Sequence, residues 1–298
     1  MAPTGSMVFA VLGDVGARFA INKAQQHGAS ACTRGHVVLK SRMLKIKIEN
    51  LYKIYRSRSS RVSALEDVNL DILQNEFITL VGPSGCGKST LLKIIGALIR
   101  PSRGTLHYDG KTLLQPTRDV GIVFQEPVLL PWRTALDNVL LPAEILGLDI
   151  AASRPRAMEL LKLVGLKGFE SSYPRELSGG MQQRVALSRA LIHDPSVLLM
   201  DEPFAALDAM TREELGFELL RIWDTHKKTV IFVTHNIVEA ILLADRVVAM
   251  SPRPGRIAKI VKVDLPRPRT LDMEFTPEFK GYSDEIRSVI YQGGTVAA

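Results

Sequence analysis

The sequence predicts an α/β fold with a buried parallel sheet. Short aliphatic or β-branched runs of four or five residues recur at 77–81, 120–124, 197–200, 230–234 and 246–250, helix-sized segments separate them, and a glycine cluster follows the first run directly. Strands that read as unbroken apolar runs are buried on both faces, as parallel strands are beneath crossover helices. The composition agrees: 46% hydrophobic and 23% charged residues in a chain of 298 is globular, which excludes wholesale disorder and collagen-like repeats.

Taken in order, the first 42 residues differ from the rest. They hold a single acid, Asp14, against Arg18, Lys23, Arg34, Lys40 and Arg42, and keep no period of 2 or 3.6. The apolar stretch 7–12 runs straight into Gly13 and Asp14, so it lacks the clean apolar region of a secretory signal, although the Arg-rich, acid-poor balance echoes an organellar transit peptide. The expectation is a leader over 1–42, disordered or arising from a mis-assigned start, because Met43 begins an ordinary strand. Residues 44–48 alternate apolar and charged, the period-2 mark of a half-buried strand. With 62–72 they predict an antiparallel β subdomain. A strand at 77–81 leads through the glycine cluster into a helix over 89–99. No strand pattern occurs between about 126 and 178, where helix-compatible stretches at 135–146 and 155–164 are broken by Gly147, Gly165 and Gly168. That predicts an inserted helical subdomain. The main domain is expected to span 43–263, and 264–298 to form a short tail with one helix over 278–291.

Charge and cysteine content narrow the partners. The net charge is +7, from 38 Lys and Arg against 31 Asp and Glu. Residues 1–42 contribute +4 of it and leave +3 for the remainder. The excess is therefore poor grounds for a nucleic-acid partner, and none is expected. Two widely separated cysteines, Cys32 and Cys86, argue against a disulfide framework and point to a reducing compartment. No run reaches the ~18 apolar residues of a membrane helix.

The residues that carry chemistry lie at strand ends. Gly82-Pro83-Ser84-Gly85-Cys86-Gly87-Lys88-Ser89 fits the phosphate-binding pattern of a glycine-rich loop opening a helix. Successive N–H groups form an anion nest, the lysine reaches the β- and γ-phosphates, and the serine hydroxyl ligates Mg²⁺. Asp201-Glu202 ends another apolar strand. Buried acids are costly unless used, so Asp201 suits a Mg²⁺ shell and Glu202 a base that polarises water; taken alone, the pair reads equally as a helix cap. His235 follows the strand at 229–234 and suits a γ-phosphate contact, whereas His27, His36, His107, His193 and His226 read as ordinary residues. Leu177-Ser178-Gly179-Gly180 opens a helix with free N–H donors, or simply caps it.

This ordered set resembles the nucleotide-binding subunit of ABC transporters, whose signature begins Leu-Ser-Gly-Gly shortly before the Asp-Glu strand. The resemblance covers about 43–250 and implies a P-loop NTPase fold, ATP and Mg²⁺ as cofactors, and ATP hydrolysis coupled to transport. It implies that Tyr55 stacks on adenine, with Tyr52 as the competing aromatic. It further implies that Gln125 senses Mg²⁺ and the attacking water, and that Thr90 joins the loop residues around the phosphates. Ala206-Leu207-Asp208 matches the D-loop, with Ala206 where serine is common. Ser178, Gly179 and Gly180 would bind the γ-phosphate held by an opposite subunit. The implied catalytic set is thus Glu202, His235 and Gln125, and the Mg²⁺ set Ser89, Gln125 and Asp201. Cys86 fits a frequent loop residue and suggests sensitivity to thiol reagents.

The implied partners are a second copy of the chain, integral-membrane permease subunits and, through them, a substrate-binding protein, at the cytoplasmic face of the inner membrane. The strings 124–133, 177–187, 204–212 and 251–257 are similar to the ATPases of nitrate, sulfonate and taurine importers. Trp132, beside Pro131, either faces a partner groove or is buried in the helical subdomain. A soluble ABC-type ATPase of DNA repair or translation is the alternative, and it would carry long coiled-coil insertions or paired nucleotide domains in one chain.

Overall fold

The computed structural model describes residues 43–56, 60–205 and 207–292; the expected leader over 1–42 and Ala206 lie outside the described residues.

Two sheets organise these residues. β1 (Leu44–Arg56), β2 (Arg61–Leu73), β4 (Arg103–Tyr108) and β5 (Lys111–Thr112) form an antiparallel sheet in the order β2-β1-β4-β5. The second sheet runs β10-β9-β3-β8-β7-β6, from β10 (Ile257–Lys262), β9 (Arg246–Met250), β3 (Phe77–Val81), β8 (Thr229–Val233), β7 (Val197–Asp201) and β6 (Val120–Val123). From β9 to β6 every pairing is parallel, as expected. β10 joins β9 antiparallel at the edge, a strand that its exposed Lys259 and Lys262 hide from an apolar-run reading.

The central strands alternate between two cores. Phe77, Leu198, Met200, Val230 and Phe232 face one core, while Ile78, Leu80, Leu199, Ile231 and Val233 face the other. Burial on both faces is why these strands carry no polar alternation. One face is covered by α1 (Lys88–Ile95), whose Leu91, Leu92, Ile94 and Ile95 are buried in that second core. The sequence expects this helix to reach 99. It stops at Gly96, where a Cβ would lie 3.1 Å from both Ile122 Cδ1 and Leu199 Cδ1.

The helical segment contains α2 (Ala135–Ile145) and α3 (Ile150–Leu163). α3 begins five residues before the expected 155, because the Asp149 carboxylate caps the Ala151 and Ala152 N–H groups. α4 (Gly179–Leu191) packs on both α2 and α3 and so ties them to β6. α5 (Ala209–His226) and α6 (Ile237–Leu243) flank β8 in the chain. The tail forms a short 3₁₀ turn and α7 (Pro277–Gln292), whose Phe279 and Ile286 are buried in the first core. Arg269 fastens the approach to it, with buried guanidinium N–H groups donating to the carbonyls of Ile241, Leu242, Ala244, Val263 and Leu265. Burial lowers its pKa to about 10.

Candidate nucleotide site

Parallel register brings the chemistry to one edge. Leu80 pairs with Val233 and Val233 with Asp201, while Val123 pairs with Met200. The strand ends are therefore level, and Gly82, Thr234-His235, Asp201-Glu202 and Phe124-Gln125 follow one carboxyl edge, where open α/β sheets bind ligands.

The loop after β3 turns through Gly85 (φ +74°) and Gly87 (φ +109°). At Gly87 a Cβ would also sit 2.7 Å from Leu65 Cδ2 and 2.9 Å from the Ala64 carbonyl, so the position requires glycine twice over. Gly87 is the N-cap of α1 and offers no side-chain acceptor to the first helical N–H groups. Those donors and the helix dipole remain available to an anion. Ser84 and Gly85 are exposed and Pro83 partly so. Lys88 is buried, its ammonium donating to the Gly82 and Pro83 carbonyls at 2.9 and 3.1 Å. The Ser89 hydroxyl donates to Asp201 Oδ1 at 2.8 Å, across 112 residues of sequence. Burial raises the Asp201 carboxyl above its ordinary value, with the Ser89 hydrogen bond acting against it. A hydroxyl beside a buried carboxylate suits a hard cation. Among the described residues no three Asp, Glu, His or Cys side chains gather as a metal cage. Two protein oxygens fit Mg²⁺, which keeps water and substrate phosphates as its other ligands.

Of the two aromatic candidates, Tyr55 reaches this loop: its hydroxyl lies 3.5 Å from Thr90 Oγ1 and its ring is half-exposed. Each ring carries a cation, Lys53 over Tyr55 and Arg103 over Tyr52. Cys86 is buried and its thiol is pushed up by burial. That is the opposite of a reactive thiolate, so the structure gives no support to the expected thiol-reagent sensitivity.

Glu202 and His235 meet, with His235 Nδ1 3.1 Å from Glu202 Oε2. Glu202 adopts φ +44°, and its N–H donates to the Val233 carbonyl, so its backbone holds a costly conformation at the strand edge. Behind the pair lies Glu239, which accepts from the Thr234 hydroxyl; burial raises its carboxyl and its Oε1 has no partner.

Gln125 is exposed beyond β6. Its segment is held from α4: Gln183 Nε2 donates to the Phe124 carbonyl at 3.0 Å, and Arg189 to the Pro127 and Val128 carbonyls at 2.6 and 2.8 Å. Sequence reasoning missed both side chains, whose six-residue separation on an otherwise unpatterned helix gives no signal. The Ser178 hydroxyl caps α4 by accepting from Met181 N at 3.2 Å. Gly179 faces open space, and a Cβ on Gly180 would lie 3.0 Å from Leu207 Cδ2. The signature segment therefore touches the D-loop, where Asp208 caps α5 through Thr211 N. Among the described residues no hydrogen bond joins Ser178, Gly179 or Gly180 to the phosphate loop. The structure leaves Trp132 71% exposed, which excludes its burial in the helical subdomain. No described helix is long and apolar enough to cross a membrane.

The family model described as ABC transporter matches residues 65–205. An uncharacterised ABC transporter ATP-binding protein of Methanocaldococcus jannaschii is 51% identical over 247 residues, 83% of this chain and 91% of the relative. The aliphatic sulfonates import ATP-binding protein SsuB of Bacillus cereus is 45% identical over 80% of this chain and 93% of its own length. The taurine import ATP-binding protein TauB of Rhizobium johnstonii is 43% identical over 83% and 96%. Among solved structures, a dimeric ATP-binding cassette in a post-hydrolysis state with ADP and phosphate superposes with a TM-score of 0.68 at 36% identity, covering 74% of this chain and all of that one.

Proposed function

The chain belongs to the ABC transporter family as an ATP-binding subunit that powers import by ATP hydrolysis, and from that premise we propose which residues do the work and what is carried. The cargo is a small sulfonate-bearing anion, taurine included; the printed names of two relatives support this. The chain itself does not read that cargo, which is chosen by permease subunits and a substrate-binding protein. The subunit works as a pair of copies, peripheral to the membrane on its cytoplasmic face. The dimeric solved relative supports the pairing.

In this reading the loop Gly82 to Thr90 wraps the ATP phosphates. Its backbone N–H groups and the α1 N-terminus neutralise charge, and Lys88 exchanges its loop carbonyls for β- and γ-oxygens. Tyr55 stacks on the adenine. Ser89 and Asp201, joined by Gln125, would hold Mg²⁺, which when bound would supply positive charge to the phosphates. Glu202 polarises the water that attacks the γ-phosphorus as the bond to the β-phosphate oxygen breaks. His235 orients Glu202 and contacts the γ-phosphate. Ser178, Gly179 and Gly180 of the other copy close over that phosphate, and Asp208 lies beside them. Trp132 and its neighbours meet the permease.

The observation that carries the assignment is the coincidence of two pairs on one strand edge, Ser89 with Asp201 and Glu202 with His235. Glu202→Gln tests it. ATP binding should persist while turnover falls by about 10²–10⁴-fold, and an ATP-stabilised dimer should accumulate in size-exclusion chromatography. Near-normal steady-state turnover would remove Glu202 from the role of base.

A further inference from the structure

The turn between β9 and β10, Ser251-Pro252-Arg253-Pro254-Gly255-Arg256, has no part in the reaction described above, yet it touches the phosphate loop repeatedly. The Arg253 Nε and Nη2 groups donate to the Gly85 carbonyl at 3.2 and 3.1 Å. Gly255 lies so close to the loop that a Cβ there would fall 1.9 Å from the Cys86 carbonyl oxygen. One residue before the turn, the Met250 carbonyl approaches to 2.9 Å from where a Gly82 Cβ would stand.

The turn is itself fixed. Gly255 N donates to the Ala64 carbonyl and Glu66 N to the Gly255 carbonyl, each at 3.0 Å, and Arg256 pairs with Glu66 at 2.9 Å. Ser251 closes it internally by accepting from Arg256 N at 3.1 Å. β2 anchors the turn, and the turn in turn bears on Gly82, Gly85 and Cys86.

We propose that Arg253 and Gly255 are positioning residues that hold the phosphate loop in its nucleotide-binding shape. The inference rests on the assignment of that loop to the ATP phosphates. Gly85 sits at φ +74° with no side chain to restrict it, and the peptide unit joining it to Cys86 is held at its N–H end, where Cys86 N donates to the Pro83 carbonyl at 3.2 Å. Rotation of that unit would break this turn and swing the Gly85 carbonyl oxygen toward bound phosphate. A charge-assisted fork from Arg253 commits that oxygen. Gly255 lets the turn approach closely enough for the fork to reach.

Arg253 is exposed, so its replacement should leave the fold intact. In the full chain, Arg253→Ala should weaken ADP binding about tenfold and raise the KM for ATP similarly. The kcat at saturating ATP should change by less than about twofold, because the fork touches no reacting atom. Arg253→Lys should restore part of the affinity, since one point donor replaces a two-pronged one. Gly255→Ala should be the more severe variant, and if it fails to fold, Arg253→Ala still decides. ADP affinity and KM unchanged in Arg253→Ala, or a lower melting temperature with unchanged affinity, would overturn the inference. Lys88→Ala measured alongside separates the two levels. Lost ADP binding there with an unaffected Arg253→Ala sinks the brace alone; wild-type binding in Lys88→Ala removes the loop assignment and the brace with it.

Discussion

Asp201 carries opposing demands at the scale of one residue. The residue is 7% exposed and burial raises its carboxyl above the ordinary carboxylate value, so the fold holds it at a cost that a bound cation would offset. The sign follows from linkage. A carboxyl whose folded pKa exceeds its unfolded value binds more protons in the fold between those two values, so stability falls as pH rises through that window and the full cost persists at neutral pH. Asp201→Asn keeps an acceptor for the Ser89 hydroxyl and removes the charge. Without nucleotide it should melt higher than the wild type at pH 7, by about 2–4 °C per kcal/mol regained in a chain of this size. The gain should shrink as pH falls toward 4, and Mg²⁺ should no longer tighten ATP binding. A variant that melts lower at pH 7 would show that the carboxylate is a net stabiliser and that its burial is not the dominant cost.

At the scale of elements, the segment between β6 and α2 shows what buried polar groups do for an irregular chain. Asn138 is fully buried. Its Oδ1 accepts from Leu130 N at 2.8 Å, and its Nδ2 donates to the carbonyls of Leu130, Arg133 and Thr134 at 3.2, 3.1 and 2.9 Å. One side chain thus fixes the loop that displays Trp132. Asn138→Ala leaves those groups unpaired and should cost about 1–3 kcal/mol in chemical unfolding, with faster hydrogen exchange at the Leu130 amide. Unchanged exchange there would mean that the loop is held by the Arg133–Glu144 pair instead. This network also shows where sequence reading stops. Strands buried on both faces announce themselves, and the strand-end motifs come with them, because burial and phosphate binding each restrict residue type locally. Arg253 on Gly85 and the charged edge strand β10 depend on what another segment brings near, whereas the Asp149 cap and the Asn138 bonds are local to the chain and carry no pattern that sets them apart from other polar residues. α1 stops at Gly96, short of the expected 99, where a Cβ would crowd Ile122 and Leu199 on β6 and β7, strands distant in sequence.

The whole molecule carries one phosphate loop and one signature segment, and no hydrogen bond connects them among the described residues. Gly179 has open space beside it and Ser178 is exposed, so among the described residues nothing covers this segment. In the proposed head-to-tail pair, the signature of each copy completes the site whose loop belongs to the other, and the two sites fail separately. Ser178→Arg places a long cation where Ser178 now caps α4 through Met181 N, obstructing the facing nucleotide while leaving its own loop untouched. In mixed dimers, Ser178→Arg paired with Lys88→Ala in the other copy puts both lesions in one composite site, and the remaining site is intact. Both substitutions in the same copy spoil one site each and leave none. The first arrangement should therefore keep about half of wild-type ATP turnover if the sites act independently, and the second almost none. Activity surviving only in the second arrangement would mean that signature and loop serve the same nucleotide within a chain, and no activity in either would mean that one damaged site silences both; nucleotide binding at equilibrium checks this last case, since the first arrangement retains one tight site only when the sites are composite.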